Sequence, residues 1–323
     1  MRGRRRVIAL LALAPLAVRA QSSKAKKVVV LFAGNPETDV PAVAPFFREL
    51  QRAGWVEGRN IVYEHLFATG SREKVAELAK VAAAKHPDLI FAPTARAAMA
   101  ASKATKSIPI VFSTVSDPTL VGLAASLARP GANATGTFQI QTDLVAKKFE
   151  MLREALPKVK RVGVVLEGVG LDLPIQRQSH LDAGRRSGLE VSIGSFMKFE
   201  DVPSVLAKLK GEGVEVLTVG SSFTLIALRK QFAEMAREAR LPLIAHRVEW
   251  AEVGAVLTYG ADAGDTLRRT AEIAHRILNG ASPAETPIEQ ASRFELVVNL
   301  RAAREYGLVL PKLFLARADR VIE

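Results

Sequence analysis

Apolar and polar positions along this chain follow two rhythms that take turns from one end to the other. Val28–Ala33 is an unbroken apolar run, the pattern of a parallel strand buried on both faces. Val40–Arg52 follows at helical spacing, with Val43, Phe46, Phe47 and Leu50 on one side. Asn60–His65 reads as the next strand and Arg72–Lys85 as the next helix, its Val75, Leu78, Ala79 and Ala82 again on one face. Asp88–Ala92 and Ile108–Ser113 are strands around the Ala-rich helix Ala95–Thr105. Repeated strand–helix units of this kind imply an α/β fold with a parallel sheet covered by helices.

A second series begins after Thr142. The helix Thr142–Leu156 leads into the strand Arg161–Leu166, then a helix at Ile175–Ser187 and a strand at Leu189–Ile193. The helix Val202–Lys210, the strand Val214–Val219, one long helix over Thr224–Arg240 and the strand Leu241–Ala245 continue it. Toward the C-terminus Val256–Tyr259 and Phe294–Val298 are strands. Asp262 is placed to cap a helix over Ala263–Leu278 that Asn279-Gly280 ends, and Asn299 opens a last helix that stops at Gly307. Two half-chains that each repeat the unit several times imply two similar lobes. No Gly/Ser/Pro-rich tract separates them, so the lobes share short crossovers rather than a loose linker.

Composition changes this picture at three points. The chain has 323 residues, enough for two such lobes, and no cysteine, which excludes disulfides, thiolate metal sites and cysteine nucleophiles. Arg2, Arg4, Arg5 and Arg6 precede an apolar segment at Val7–Val18, and Val18-Arg19-Ala20 supplies a cleavage site. That segment is too short to span a bilayer and has the form of a secretory signal over residues 1–20, cut after Ala20, so the expected location is the periplasm. Loss of those residues removes five arginines and lowers the formal charge from +12 to +7. The remaining Lys and Arg are spread over helix faces without interleaved aromatics, so no nucleic-acid partner is implied.

Candidate chemistry is sparse. The five histidines, His65, His86, His180, His246 and His275, fall in no metal-ligand spacing, and there is no G-x-S-x-G elbow. Ala33-Gly34-Asn35-Pro36 has one glycine where a dinucleotide fingerprint needs three. The expectation is therefore a non-enzyme with no catalytic residues, no cofactor and no metal. Open α/β folds bind ligands beyond the carboxyl ends of their strands. That rule selects Asn35, Thr94, Ala95, Ser116 and Asp117 in the first half, with the backbone donors of the Gly34-Asn35 turn facing the ligand. In the second half it selects Glu167, Ser221, Ser222, Glu249 and Tyr259. Thr94 is placed to cap the next helix, and the same helix N-terminus can receive a carboxylate through its N–H groups. Asp117 either pairs with a ligand ammonium or caps a short helix starting at Pro118. Tyr259 either stacks on a ligand or fills a hinge. Two Trp and three Tyr are few for a sugar site built on paired aromatics.

Three separated blocks carry a resemblance to a known family. Residues 108–136, IPIVFSTVSDPTLVGLAASLARPGANATG, resemble the "PIVF…DP…GL…SLARPG-N-TG" signature of bacterial periplasmic solute-binding proteins of ABC-type importers, the group that includes tryptophan-type binding proteins. Glu49–Glu64 is similar to that family's "EL-AGW-EG-NI-YE". Tyr259-Gly260, Asp265, Arg268-Arg269, Ile277–Ala281, Pro283, Ile288–Gln290, Phe294–Leu300 and Leu315–Glu323 follow its C-terminal pattern. At the turn after the third strand, where members often carry a Gly-Thr pair, this chain has Ala92-Pro93-Thr94.

The resemblance implies a type I periplasmic-binding-protein fold, with two Rossmann-like lobes, parallel sheets, three hinge crossovers and an interlobe cleft. The lobes would comprise residues 27–141 plus 260–281 and residues 142–259 plus 282–323, with the helix Ala263–Leu278 returning to the first. It implies a monomer that closes over a small molecule, the leading candidate an amino acid or related carboxylate, and presents it to an ABC permease and its ATPase. A periplasmic sensor for a signalling receptor would use the same fold. A secreted enzyme is disfavoured because no catalytic constellation is present, and a repressor core because a signal segment rather than a helix-turn-helix precedes residue 28.

Overall fold

A computed structural model describes residues 25–114, 117–139, 141–168 and 173–323. The expected leader at 1–20 and the site candidate Ser116 lie outside these residues. In the first half, β1 (Lys26–Phe32), α1 (Pro36–Arg52), β2 (Ile61–Phe67), α2 (Arg72–Ala84), β3 (Leu89–Ala92), α3 (Ala95–Ala104), β4 (Ile110–Thr114) and β5 (Ala134–Phe138) follow in order. Val28 to Phe32 are fully buried, as an unbroken apolar strand requires. α1 starts four residues before the amphipathic run because Pro36 sits at its first turn with Glu37 and Asp39 beside it, residues suited to a helix N-terminus.

The second half continues with α4 (Gln141–Ala155), β6 (Arg161–Glu167), α5 (Leu173–Ser187), β7 (Glu190–Phe196), α6 (Val202–Gly211), β8 (Val216–Val219), α7 (Phe223–Ala227), α8 (Arg229–Glu238), β9 (Leu243–Ala245), α9 (Val248–Ala251) and β10 (Leu257–Ala261). The chain ends with α10 (Ala263–Leu278), β11 (Glu289–Gln290), β12 (Phe294–Asn299), α11 (Leu300–Glu305), α12 (Lys312–Leu315) and β13 (Arg320–Ile322). The single helix expected over Thr224–Arg240 is instead two, because Leu228 leaves helical geometry at φ −102° and ψ 22°. Leu225 and Phe232 on either side of the break still reach the same core.

The strands form two sheets, ordered β11-β5-β4-β3-β1-β2 and β13-β12-β10-β9-β8-β6-β7. Every pairing in the first is parallel, and in the second the β10–β12 pair runs antiparallel. Hairpin geometry does not explain that pair, since the chain visits the first lobe between the two strands. There α10 buries Leu267, Ala271, Ile273, Ala274, Ile277 and Leu278 against Val30, Phe46 and Leu50. Thr270 on its inner face meets Thr137 of β5 at 2.7 Å between hydroxyls.

Two boundaries need correction. Residues 282–290 do not belong with the second lobe, because β11 pairs with Thr137 and Phe138 of β5 and Ile288 is buried in the first-lobe core. Glu289 is held there by Arg269 and Arg276 of α10, at 2.6 and 3.1 Å. Gly260 and Ala261 pair with Glu295 and Phe294, so they complete the second sheet rather than open the first lobe. The chain thus crosses between the sheets at Phe138–Gln141, Ala261–Ala263 and Gln290–Phe294. The first two crossings leave from the carboxyl ends of β5 and β10, which brings the carboxyl edges of both sheets to a common boundary. Among the described residues no helix is long and apolar enough to cross a membrane.

Candidate functional site

The loops at this boundary are where the sheet topology presents polar groups to a ligand. On the first-lobe side, Asn35 is exposed at the end of β1, and its side chain does not cap α1. The turn's backbone donors do not face outward as expected. The Gly34 N–H donates to the Asp39 carboxylate at 2.9 Å, which folds the first turn of α1 back over the glycine. A Cβ at Gly34 would sit 2.7 Å from that carboxylate. Thr94 caps α3, its hydroxyl accepting from the Ala97 N–H at 3.2 Å, and Ala95 is the first helical residue.

Asp117 opens no helix. Its carboxylate accepts from the N–H and hydroxyl of Thr119, at 2.8 and 2.7 Å, closing a tight turn. Thr119 hydrogen bonds outweigh partial burial and lower the pKa of this carboxyl. Residues 118–122 form consecutive turns because β-branched Thr119 and Val121 disfavour a short helix, and Gly122 takes the left-handed φ of +72°.

The second-lobe side is a connected polar surface. Glu167 ends β6 and accepts from Ser222 and Thr224, at 2.8 and 2.9 Å, so the structure brings together two residues selected from the sequence and adds a third. Ser222 also caps α7 by accepting from the Leu225 N–H at 3.0 Å. The Ser221 backbone is clasped by the Gln176 amide of α5: its N–H donates to Oε1 at 2.8 Å and its carbonyl accepts from Nε2 at 3.2 Å. Glu249 forms a two-pronged pair with Arg247, at 2.5 and 3.3 Å, with its side chain 26% exposed. Burial raises the Glu249 pKa, but the Arg247 guanidinium prevails and the net shift is downward. Tyr259 is half-buried and stacks on Phe294 at 6.0 Å between ring centres, packing on the second-lobe core beside the crossover. Trp250 is fully buried edge-on to Phe232 and offers no ring to a ligand.

Three apolar side chains stand exposed beyond strand carboxyl ends: Leu120 after β4, Ile175 after β6 and Met197 after β7, at 80, 54 and 65%. At the carboxyl end of β8 lies a group missed in the sequence reading. Lys148 of α4, His180 of α5 and His246 after β9 line a cavity of about 10 Å³ with Gln139 and Val219. Lys148 is 1% exposed, and its Nζ lies 3.5 Å from the Val219 carbonyl. No spacing rule links positions 148, 180 and 246; only the sheet joins them. Among the described residues, no cluster of three His, Cys, Asp or Glu side chains suits a metal ion.

Two parallel-sheet lobes joined by three crossovers, with polar loops at their shared edge, define a solute-binding protein of the periplasmic type I fold. Residues 37–322 match the family model described as ABC transporter substrate binding protein, and the chain belongs to that family. The family is one of solute-binding proteins rather than enzymes. The chain is 27% identical over 254 residues to a tyrosine-binding protein of Clostridioides difficile (strain R20291), covering 79% of this chain and 73% of that one. A conserved domain protein from Vibrio cholerae aligns with a TM-score of 0.85 at 26% identity, over 92% of this chain and all of the other. The ABC domain in complex with L-Trp from Streptococcus pneumonia aligns at 0.83 and 23% identity, over 93% of this chain and all of that one.

Proposed function

We propose that this protein is the exported receptor of an ABC importer that binds an aromatic amino acid between its lobes and delivers it to a membrane permease driven by its ATPase. The observation that carries the ligand class is the pairing of the charged second-lobe surface with the exposed Leu120, Ile175 and Met197 around the same boundary. A zwitterion with a large ring needs both. The L-Trp and tyrosine relatives support the same ligand class. Binding needs no covalent chemistry. Groups from both lobes hold the ligand better when the lobes are closed, so the ligand shifts the open–closed balance that the permease reads. The basic, apolar and small-residue order of positions 1–20 supports export to the periplasm and removal of the leader after Ala20.

A thermal-shift and calorimetric screen of the chain from Gln21 onward tests the ligand class, using L-tyrosine, L-tryptophan, L-phenylalanine, aliphatic amino acids and free sugars. Aromatic amino acids should stabilise it and sugars should not. Stabilisation by a sugar alone would overturn the reading. N-terminal sequencing of protein from a periplasmic extract should begin at Gln21; a chain that begins at Met1 would overturn the export step.

A further inference from the structure

Burying an ammonium group is costly unless something pairs with it. Lys148 is 1% exposed, its nearest acceptor is a long 3.5 Å contact to a backbone carbonyl, and among the described residues no carboxylate pairs with it. The charged or titratable groups facing this cluster are all basic: His180 from α5, and His246 with its neighbour Arg247 after β9. Both histidines are neutral. His180 Nδ1 lies 2.7 Å from the Gln176 carbonyl, which can only accept, so that nitrogen carries the proton and Nε2 presents a lone pair. That Nε2 and His246 Nδ1 are buried with no hydrogen-bond partner. The cavity between these groups has room for about one oxygen atom. It reaches Val219, the last residue of β8 before the stretch that bears Ser221 and Ser222, and Gln139 at the first crossover.

We propose that this cavity is a carboxylate subsite: Lys148, flanked by His180 and His246, receives one oxygen of the ligand's carboxylate, and the pair forms with uptake of a proton from solvent. The assignment deepens the proposed function and rests on its reading that the ligand is an amino acid. Burial lowers the Lys148 pKa to about 7 in the empty protein, so part of the population must gain a proton before pairing with an anion. A bound carboxylate favours the charged form and raises that value. Affinity is therefore flat below pH 7 and weakens up to about tenfold per unit above it, until the pKa of the bound state is reached. His180, held down to about 3, and His246, well below its usual value, stay neutral over this window.

Calorimetric titration at pH 6.0 to 8.5, in buffers of different ionisation enthalpy, reads both consequences. The probes are L-tyrosine, its carboxamide, and 3-phenylpropanoate and propionate, which lack an amino group that titrates. The wild-type protein should take up a large fraction of a proton per bound L-tyrosine at pH 8 and much less at pH 6. Lys148→Met should show no uptake and should bind L-tyrosine at least about tenfold more weakly at pH 6.5, as the wild-type protein should bind the carboxamide. L-Tyrosine binding with no proton uptake and a flat pH profile would overturn the subsite, leave the cavity to a resident water, and leave the proposed function standing. If L-tyrosine fails but another carboxylate binds with uptake, the ligand class falls and the subsite stands. If no carboxylate binds, both fall.

Discussion

On the first-lobe side of the cleft, Thr94 and Asp117 direct their hydrogen bonds to residues two or three positions away. On the second-lobe side, Gln176 reaches 45 residues along the chain to Ser221, and Glu167 reaches 55 and 57 residues to Ser222 and Thr224. One rim is made of loops that fold themselves; the other is a network that exists only when β6, α5 and β8 are in register. A network spanning three elements holds its groups more rigidly than separate turns. Its members are also coupled, so removing one disturbs the others.

Five substitutions test this contrast. The largest effect is expected at Glu167, which accepts two hydrogen bonds as a charged group. Glu167→Ala should cost about 3 kcal/mol of stability by denaturant unfolding. Paired with Thr224→Ala it should lose less than the sum, whereas strict additivity would show that the network is not coupled. Lys148→Met should act in the opposite direction, raising stability by about 2 kcal/mol near pH 6, because an unpaired buried ammonium gives way to an apolar side chain of similar length. Since the Lys148 pKa is lower in the folded state, unfolding takes up a proton between about pH 7 and the usual lysine value. Wild-type stability therefore rises with pH through that window, and the gain from the variant shrinks as pH climbs. An undiminished gain at pH 9 would break this account.

On the other rim, Thr94→Ala removes one cap and should cost about 1 kcal/mol, additive with changes in the second lobe. Asp117→Ala should be the smallest, about 0.5 kcal/mol from a part-buried local turn. Because the Asp117 carboxyl pKa is lowered in the fold, that contribution is present above the ordinary aspartate value and fades as pH falls through the folded value. Calorimetry of this variant separates its two candidate roles. Affinity for L-tyrosine that drops about tenfold or more would make Asp117 a partner of the ligand ammonium; unchanged affinity would leave it a turn residue only.

Much of the fold was legible from local pattern. The run at Val28–Phe32 is a buried strand, and Asp262 caps a helix that spans Ala263–Leu278 as its apolar spacing predicted. Sequence order also identified the family, because three blocks of turns, caps and strand ends recur together. What it missed lacked a local signal. β5 is Ala-Thr-Gly-Thr-Phe, a turn-like composition, yet it is fully buried, and a Cβ at Gly136 would fall 2.0 Å from the Phe112 carbonyl. The two residues of β11 are a strand only because β5 offers an edge and α10 supplies two arginines for Glu289.

The cleft divides along the same line. A cap or a tight turn is set by residues within one helical turn of each other, so Thr94 and the Asp117 loop could be read from the chain alone, although Asp117 closes its turn on Thr119 rather than starting a helix. The Lys148, His180 and His246 cluster could not be read that way. Each looks ordinary in its own segment: a lysine in an amphipathic helix, a histidine in a polar helix, a histidine after a short strand. Their burial, the unpartnered His180 Nε2 and His246 Nδ1, and their convergence on one cavity arise from how α4 and α5 pack over the carboxyl ends of β8 and β9. The sequence determined most of the strands and helices and the family they serve, because hydrophobic period and capping act over a few residues. Only the tertiary structure decided which polar groups meet, because desolvation and hydrogen bonding depend on neighbours that the chain order does not name.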